Sequence, residues 1–272
     1  GGSTYTGWSV LGEDKNQVAR FQTGSFNPYF CDRGDMIDLF ESEMGRWKNQ
    51  IRAVRYYGAG CTPDKRGLVG EALASFFSTD DVEVDSDLMA AVLALGKGGE
   101  CLVGILGTGS NSCYYDGERI SQQVSPLGYI LGDEGSGAVL GRKLLGNVLK
   151  GLLSEEIAAD FYREYETDRY EIINKVYRGD FPNRFMAGFV PFIKKHIDKE
   201  PMRAMVGVSF GEFIERNLLQ YDLIKALPVH FTGSIAWHFK EELAAAFDDY
   251  RLLLGTVVAD PMEGLLQYYM NK

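Results

Sequence analysis

The stretch Gly107-Thr108-Gly109-Ser110-Asn111-Ser112 combines two glycines with four small polar side chains. It follows an apolar run over residues 101–106, which is typical of a short buried strand. Glycines let the backbone approach an anion closely, and the N–H groups of such a turn can bind it. Phosphate is the usual anion for a turn of this kind. By itself, however, the stretch is equally typical of an ordinary tight turn between two strands.

Three further turns of small residues lie next to predicted strands. They are residues 1–6, residues 58–63 and the pair Gly233-Ser234. None of the four turns has the GxxxxGK[ST] spacing of a Walker A loop or the GxGxxG spacing of a dinucleotide fingerprint. Nucleotide binding would therefore require another geometry, with two hairpin turns contacting the phosphates from opposite sides. The run Gly132-Asp133-Glu134-Gly135-Ser136-Gly137, which enters an apolar helix, supports this interpretation.

Asp87 is the best candidate for acid–base chemistry. It follows a short predicted strand over residues 82–84 and begins a predicted helix that continues over residues 88–95. A carboxylate there could accept the proton of an attacking hydroxyl during phosphoryl transfer, and the helix N-terminus would keep it ionised. An Asp at this position is more often only a helix cap, so the residues alone leave both roles open. We expect Asp85 to be a surface cap.

The order of elements indicates an α/β protein. The first hundred residues are predicted to run strand–strand–strand–helix–strand–helix–strand–helix, which suits a mixed sheet flanked by helices. The second half has the same kinds of element, although no residue-level repeat connects the halves. Helices are predicted over residues 155–165, 169–178, 185–197 and 202–221. Strands are predicted over residues 229–232 and 252–258, with helices after each.

Composition excludes several classes of function. The chain has 272 residues, 45% of them hydrophobic, and a net charge of −10 without a Lys/Arg cluster, so we expect no nucleic-acid or membrane partner. No apolar run approaches the roughly 18 residues that span a bilayer. The four cysteines show no CxxC spacing and the three histidines lie far from them, which disfavours zinc and predicts a reduced, cytoplasmic protein.

Taken in order, these motifs resemble those of the BadF/BadG/BcrA/BcrD ATPase family, and within it the N-acetylglucosamine kinases. The motifs are Gly1-Gly2-Ser3-Thr4, the Gly107–Ser110 loop, Pro126-Leu127-Gly128, Gly132–Ser136 and Gly233-Ser234. The resemblance implies an actin-like ATPase fold of two ribonuclease-H-like α/β domains with ATP in the cleft between them. We expect residues 1–104 to form the first domain, joined by the terminal helix over residues 262–272, and residues 105–261 to form the second.

The resemblance also assigns roles to individual residues. It implies that the phosphates of ATP contact Gly2, Ser3, Thr4, Gly107, Thr108, Gly109 and Ser110. Gly233 and Ser234 correspond to the adenosine turn, and Asp87 corresponds to the catalytic base. The amino sugar would be held by Asn27, Thr108, Asn111, Gly128 and Asp133. Transfer would also require Mg²⁺, whose protein ligands the sequence does not identify. The implied reaction is the ATP-dependent conversion of N-acetylglucosamine to its 6-phosphate.

Several positions depart from the family pattern. An Asp that normally precedes the first glycine pair and helps to hold the metal would lie before Gly1. Tyr5 and Gly7 stand where basic and polar residues are common, and Leu127 stands where an aromatic residue packs near the sugar. These departures leave the sugar preference open. Glu134 could bind sugar or metal or could pair with a backbone amide.

Two alternatives remain. One is an activator of 2-hydroxyacyl-CoA dehydratase or benzoyl-CoA reductase, which resembles this chain in length but bridges an iron–sulfur cluster between subunits. None of Cys31, Cys61, Cys101 and Cys113 is predicted at a glycine-rich helix start, as that role requires. The other is a sugar-binding protein without turnover. The oligomeric state is also open, a homodimer being one option.

Overall fold

The computed structural model describes all residues of the chain, Gly1–Lys272. The chain divides into two compact units, one formed by Gly1–Ala94 with Pro261–Lys272 and the other by Leu95–Asp260. The strand at Cys101–Leu106 belongs to the second unit because both of its neighbours in the sheet lie there. The sequence-based boundary after residue 104 would have divided this strand.

Nine strands and thirteen helices make up the two units. The strands are β1 (Tyr5–Leu11), β2 (Gln17–Gly24), β3 (Val54–Gly58), β4 (Val82–Ser86), β5 (Cys101–Leu106), β6 (Ser110–Tyr115), β7 (Ile120–Val124), β8 (Val229–Thr232) and β9 (Leu254–Val258). The helices are α1 (Arg33–Met44), α2 (Arg66–Phe77), α3 (Asp87–Leu95), α4 (Gly128–Leu131), α5 (Gly137–Leu149), α6 (Glu155–Tyr165), α7 (Arg169–Arg178), α8 (Pro182–Ala187), α9 (Val190–Lys195), α10 (Glu200–Arg216), α11 (Ser234–His238), α12 (Lys240–Asp249) and α13 (Met262–Asn271). Short 3₁₀ turns follow α1 and α10.

The first unit contains an antiparallel hairpin, β1–β2, and a parallel pair, β3–β4. In the parallel pair Gly58 lies opposite Ser86, so the two carboxyl ends are side by side. Loops that follow parallel strands emerge at this same edge, which is where ligands bind in open α/β sheets. The topology therefore brings the turn after β3 close to the start of α3.

Aromatic packing forms the core of the first unit. The ring of Phe40 on α1 lies edge-on to Phe26 at 4.8 Å and tilted against Phe76 of α2 at 5.5 Å. All three side chains are almost fully buried. On α13, Tyr269 bonds to the hydroxyl of Tyr57, and Glu263 pairs with Arg20. These contacts attach the C-terminal helix to the first unit.

The second unit is built on a five-stranded sheet in the order β7-β6-β5-β8-β9. β5 pairs antiparallel with β6 and parallel with β8, and β8 pairs parallel with β9. The carboxyl ends of β5 and β8 therefore meet at one edge, where Gly107 and Gly233 follow them. Apolar side chains from α5, α10 and α12 form one core with those of the sheet, and this core includes Leu144, Phe213 and Phe247.

Two predicted long helices are interrupted. The segment predicted as one helix over residues 185–197 forms α8 and α9, because Gly188 ends the first and Pro191 lies in the first turn of the second. Proline is tolerated there but cannot donate within a continuous helix. The helix after β8 is divided at Phe239 into α11 and α12. None of the helices combines the length and the apolar character that a bilayer-spanning segment needs.

Candidate functional site

Asp87 is the first residue of α3, directly after β4. Its Oδ1 accepts a hydrogen bond from the Leu88 N–H at 2.9 Å. The side-chain cap of the helix is instead Ser86, whose Oγ accepts from the Met89 N–H at 3.3 Å. Burial raises the pKa of Asp87, and the bond from Leu88 partly offsets this effect. The carboxylate is thus relieved of the capping role and is more basic than an ordinary Asp.

Asp85 serves a different purpose from Asp87. It pairs with the guanidinium of Arg66 on α2 at 3.2 Å, and its other carboxylate oxygen accepts from the Ser86 N–H at 2.6 Å. The side chain is partly buried, so the expected surface cap is wrong in that respect. Through these two contacts Asp85 stabilises the end of β4.

Asn27 lies against the turn that follows β3. Its Oδ1 accepts from the Tyr29 N–H at 3.0 Å, and it lies 2.3 Å from the point that a Cβ on Gly60 would occupy. The bond from Tyr29 holds the amide oxygen towards the backbone of its own loop, and the NH₂ group can donate elsewhere. The neighbouring Cys61 is buried, and its pKa is raised to about 11 by burial, with a smaller contribution from the charge of Asp87. The turn that holds Gly60 and Cys61 therefore has Asn27 against its first residue and is close enough to Asp87 for the charge of that carboxylate to act on the thiol.

The predicted first phosphate turn lies at the start of the same unit. Gly1 O accepts from the Ala59 N–H at 3.0 Å, which places the segment beside the end of β3. Gly2 donates its N–H to Tyr5 O at 2.9 Å and accepts at its carbonyl from Ser25 Oγ at 2.7 Å. Ser3 and Thr4 then form a bend that leads into β1.

In the second unit, the predicted second phosphate loop is the tight connection between β5 and β6. Gly107 and Thr108 accept at their carbonyls from Gly137 and Ala138, the first residues of α5, at 2.8 and 3.0 Å. The loop is therefore attached to the N-terminus of a 13-residue helix. The N–H of Gly109 has no partner within the protein. Ser110, which was predicted as part of the loop, is already the first residue of β6.

Gly233 brings the predicted adenosine turn next to this loop. A Cβ at Gly233 would lie 2.2 Å from Leu106 O and 3.2 Å from Gly107 N. Its φ of +118° is a conformation that side chains disfavour, so the close approach of β8 and β5 requires glycine here. Ser234 follows as the first residue of α11. Two of the predicted nucleotide turns therefore meet at one edge of this sheet.

Asp133 lies against the same loop. Its Oδ1 accepts from the Ser110 N–H at 3.3 Å, and its own N–H donates to Pro126 O at 2.9 Å. Burial, with a smaller contribution from the charge of Glu134, raises the pKa of Asp133 to about 6. Its φ of +53° is left-handed, which is uncommon for a residue other than glycine. Strain and desolvation of this kind cluster at functional sites.

Glu134 is held by the protein itself. Its two oxygens contact Arg216 Nη1 at 2.8 Å and Asn217 Nδ2 at 3.2 Å. Of the roles left open for Glu134, pairing with other groups of the protein is the one that the structure shows, although the partners are side chains rather than a backbone amide. The carboxylate beside it, Asp133, has no such cation.

The two remaining predicted sugar ligands lie in the second unit. Asn111 is on β6, and its Oδ1 accepts from the Ser112 N–H at 3.0 Å and from Gln123 Nε2 at 3.2 Å. Gly128 begins the short helix α4 and is left-handed, as is the exposed Leu127 before it. Arg142 donates to Tyr129 O at 2.8 Å and attaches α4 to α5.

Sequence reasoning did not find the residues that position these groups. Arg66, Arg216 and Asn217 hold the carboxylates of Asp85 and Glu134. Tyr221 lies between Ser112 Oγ at 2.8 Å and the Val124 N–H at 3.1 Å and so fixes β6 against β7. Each partner is separated from its target by a long stretch of chain, and no local motif signals the pairing.

The resemblance implies a bound Mg²⁺, and the side chains of the chain can be compared with the ligands that this ion needs. No group of three or more His, Cys, Asp or Glu side chains in the chain is arranged to hold a metal ion. Mg²⁺ usually binds through substrate phosphates, waters and one or two carboxylates rather than through an all-protein cage. The residues present are compatible with that mode, in which the nucleotide supplies most of the ligands.

The chain has a close relative among solved structures. No protein-family model matches it, and no curated protein sequence does either. A structure from Porphyromonas gingivalis, described as a "Putative N-acetylglucosamine Kinase", is 46% identical, covers 100% of this chain and 97% of its own, and superposes with a TM-score of 0.95.

Two more distant structures share the fold. A protein from Chromobacterium violaceum with the same description is 19% identical over 98% of this chain and 96% of its own, with a TM-score of 0.74. A ROK family glucokinase from Streptomyces griseus, solved with glucose and AMPPNP, is 14% identical over 98% of this chain and 95% of its own, with a TM-score of 0.62. The predicted actin-like ATPase fold is confirmed. Because the identity to the P. gingivalis protein extends over the full chain, this protein belongs to the same family, a family of sugar kinases with the actin-like ATPase fold.

Proposed function

We propose that the protein transfers the γ-phosphoryl group of ATP to an amino sugar, with N-acetylglucosamine as the substrate and its 6-hydroxyl as the acceptor. The 46% identity to the P. gingivalis protein over the full chain is the observation that supports this choice most directly. The chemistry of the individual residues agrees with it.

Asp87 is the proposed general base. Phosphoryl transfer to a hydroxyl needs a carboxylate that accepts the hydroxyl proton, while the protein orients the reactants and stabilises charge. A carboxylate with a raised pKa is a stronger base than an exposed one, provided that it is ionised at the working pH. Burial gives Asp87 this property, and Ser86 fulfils the capping role that would otherwise occupy it.

Two side chains, one that can donate a hydrogen bond and one that can accept it, support the proposal of sugar binding. The Asn27 oxygen accepts from the Tyr29 N–H, and the NH₂ group can donate to a hydroxyl or acetamido oxygen of the sugar. The Asp133 carboxylate accepts, and so suits a sugar hydroxyl. Fixed donors and acceptors of this kind set orientation and specificity in a polar ligand site.

The loop Gly107–Ser110 and the turn at Gly233-Ser234 are proposed to bind the nucleotide, with the turn at residues 2–4 as the second phosphate contact. The free N–H of Gly109 and the nearby N-terminus of α5 favour an anion at this loop. Bound together with ATP, Mg²⁺ would supply positive charge that offsets the negative charge developing on the transferred phosphoryl group. Its ligands from the protein would be few.

The replacement Asp87→Asn tests the assignment of the base. We expect kcat for ATP-dependent phosphorylation to fall by roughly 10²–10⁴-fold, the usual contribution of a general base. Sugar binding, measured by calorimetry, should change little because the side-chain volume is kept. Asp80→Asn on the surface is the matched control and should retain full activity. Unchanged turnover in Asp87→Asn would refute the assignment.

The substrate is tested separately by a coupled assay of ADP release. N-acetylglucosamine, glucosamine, N-acetylmannosamine and glucose are compared at equal concentrations with the unmodified protein. We expect the highest kcat/KM with N-acetylglucosamine, and NMR of the product should show the phosphate on the 6-oxygen. Sugar binding without ADP release from any of the four would instead favour the binding-protein alternative.

The activator alternative depends on cysteines that can reach another subunit. Cys61, Cys101 and Cys113 are buried, and Cys31 is only partly exposed. Buried thiols of raised pKa are poor ligands for a cluster at a subunit boundary. Stoichiometric iron and a brown colour in anaerobically purified protein would nevertheless establish that function and overturn ours.

A further inference from the structure

The hydroxyl of Tyr221 joins two strands of the second unit near Asp133. Tyr221 follows the short 3₁₀ turn after α10, and its side chain is almost fully buried. The hydroxyl accepts from the Val124 N–H of β7 at 3.1 Å and lies 2.8 Å from Ser112 Oγ of β6. Burial raises the pKa of Tyr221, so the phenol stays protonated and can donate to Ser112 while it accepts from Val124. One hydroxyl therefore holds both strands.

These contacts lie at one end of the β6–β7 ladder. Ser112 and Val124 are opposite each other and form the last pair on this side. β6 extends further, to Ser110, and is still paired there with Leu106 of β5. β7 is the edge strand of the sheet and has no second neighbour. The end of β7 therefore depends on Tyr221 more than the end of β6 does.

Asp133 contacts the same two segments of chain just beyond this pair. On the β6 side, Ser110, two residues before Ser112, donates its N–H to Asp133 Oδ1 at 3.3 Å. On the β7 side, the Asp133 N–H donates to the carbonyl of Pro126, two residues after Val124, at 2.9 Å. The tyrosine hydroxyl and Asp133 thus bridge the two segments at successive levels.

The loop over residues 126–133 is held in an unfavourable backbone conformation. The φ of Asp133, +53°, and that of Leu127, +61°, are both left-handed. Residues other than glycine remain in this region only where their surroundings fix them. The bond from the Asp133 N–H to Pro126 O closes the loop. The conformation of Asp133 therefore depends on where the end of β7 places Pro126.

The segment after α10 also holds the residue that follows Asp133. Asn217, four residues before Tyr221, donates from Nδ2 to Glu134 Oε2 at 3.2 Å, and its side chain is buried. A backbone bond from the Gln220 N–H to Asn217 O, at 3.2 Å, keeps the two side chains on one short turn. A single segment therefore supports Asp133 through its neighbour Glu134 and through the end of β7.

We propose that Tyr221 is a positioning residue for the sugar site: by holding the end of β7, its hydroxyl sets the place of the Asp133 carboxylate. This role rests on the proposed function, which makes Asp133 a sugar ligand. The phosphate loop depends on Tyr221 less, since Gly107 and Thr108 are attached to α5 and Ser110 is paired with β5. Loss of the hydroxyl should therefore affect the sugar more than ATP.

The replacement Tyr221→Phe tests this role, because it removes the hydroxyl and keeps the ring. The Val124 N–H and Ser112 Oγ then lose a buried partner, which weakens the attachment of β7. We expect KM for N-acetylglucosamine to rise by about tenfold or more, while KM for ATP and kcat change by less than about threefold. Tyr250→Phe is the matched control, since it removes a tyrosine hydroxyl that donates to Glu215 at 2.5 Å in an exposed contact.

Hydrogen exchange followed by NMR measures the position of Asp133 without any substrate. The Asp133 N–H is protected by its bond to Pro126 O, and in Tyr221→Phe it should exchange faster by about tenfold or more. The Val103 N–H lies in β5, which is paired on both sides, and it should be far less affected. This comparison separates a local loss of position from a general loss of stability.

The replacement Ser112→Ala shows which strand carries the effect. It removes the β6 contact but leaves the Val124 N–H bonded to Tyr221, so the Asp133 amide and KM for the sugar should change much less than in Tyr221→Phe. Equal effects of the two variants would overturn the role of Tyr221. So would an unchanged KM for the sugar in an active Tyr221→Phe protein, or an Asp133 amide that exchanges no faster than the change at Val103 explains. A wild type that neither binds nor phosphorylates a sugar would refute the proposed function instead, and the exchange rates would still decide whether Tyr221 positions Asp133.

Discussion

The backbone N–H of Ser110 donates to Oδ1 of Asp133 at 3.3 Å, and this contact joins the end of the predicted phosphate loop to a buried carboxylate. The hydrogen bond favours the ionised form, but burial outweighs it and raises the pKa of Asp133 to about 6. In the unfolded chain the same group titrates near 3.8. The native state therefore binds this proton more tightly than the unfolded state does.

The first prediction concerns stability against pH. Because the native pKa of Asp133 is raised, the contribution of this group to the free energy of unfolding is most favourable below about pH 4. That contribution is lost as the pH rises to about 6 and above. The difference between the native and unfolded pKa values corresponds to on the order of 3 kcal/mol. Asp133→Asn should remove this loss of stability. The free energy of unfolding of the variant, compared with that of the wild type, should therefore increase as the pH rises from about 4 to about 6. Urea titrations at several pH values measure it.

Asp116→Asn provides the control of opposite sign. Backbone N–H groups of Arg119 and Glu118 lower the pKa of this exposed carboxylate. The stabilisation by Asp116 is present above its unfolded pKa and is lost on acidification, so its replacement should remove stability at neutral pH rather than add it. A parallel pH dependence for the two variants would contradict the assignment of the raised pKa to Asp133.

The second prediction concerns the turn beside Asn27. Gly60 has a φ of +81°, and a Cβ there would lie 2.3 Å from Asn27 Oδ1. Gly60→Ala should therefore cost about 1–3 kcal/mol of backbone strain and also displace the Asn27 amide. Since Asn27 is proposed to hold the sugar, KM for the sugar should rise more than kcat falls. Steady-state kinetics with varied sugar separate the two parameters.

Gly98→Ala is the matched control for this change. Gly98 has nearly the same φ, +80°, but a Cβ there would meet nothing within 4 Å. Both variants should lose a similar amount of stability from the backbone, while only Gly60→Ala should change KM. Equal kinetic effects in the two variants would show that strain, rather than contact with Asn27, is responsible.

Local signals in the sequence were sufficient to predict the bounds of several helices and strands. The helices at Glu155–Tyr165 and Arg169–Arg178 and the strand at Val229–Thr232 have the predicted bounds. Ser154 and Asp168 cap the two helices, and apolar residues recur at helical spacing in both. Capping and periodicity are encoded within a few residues, which is why the sequence identifies them.

Contacts between distant residues could not be predicted in the same way. The sequence left Glu134 with several roles, because its partner Asn217 lies 83 residues further along the chain. The break between α8 and α9 was missed for another reason. Phe185, Phe189 and Phe192 continue an apolar spacing across Gly188, and this pattern concealed the break that Gly188 and Pro191 cause.

The third prediction concerns the buried charge of Glu134. Arg216 is its cation, at 2.8 Å, and the carboxylate itself is 8% exposed. Arg216→Met keeps much of the aliphatic contact but leaves a buried carboxylate with only Asn217, so we expect a loss of about 1–3 kcal/mol. Arg119→Met breaks an exposed pair with Asp116 at 3.9 Å and should change stability by less than about 0.5 kcal/mol. Thermal or urea unfolding compares them. Similar losses in both would indicate that Glu134 is not desolvated.

The fourth prediction concerns the contact between the two turns of the second unit that are proposed to bind the nucleotide. Gly233→Ala would place a methyl group 2.2 Å from Leu106 O and 3.2 Å from Gly107 N at a φ of +118°. The ends of β5 and β8 must then separate, at a cost of roughly 2–4 kcal/mol.

Because the displaced backbone carries the proposed phosphate loop, KM for ATP should rise by about tenfold or more while KM for the sugar changes less. Gly146→Ala is the matched control: it lies within α5, a Cβ there meets nothing within 4 Å, and alanine should stabilise the helix by about 0.5–1 kcal/mol. A Gly233→Ala protein that binds ATP normally, as measured by calorimetry, would separate this turn from the nucleotide site and leave Gly107–Ser110 without the neighbour that the proposal assigns to it.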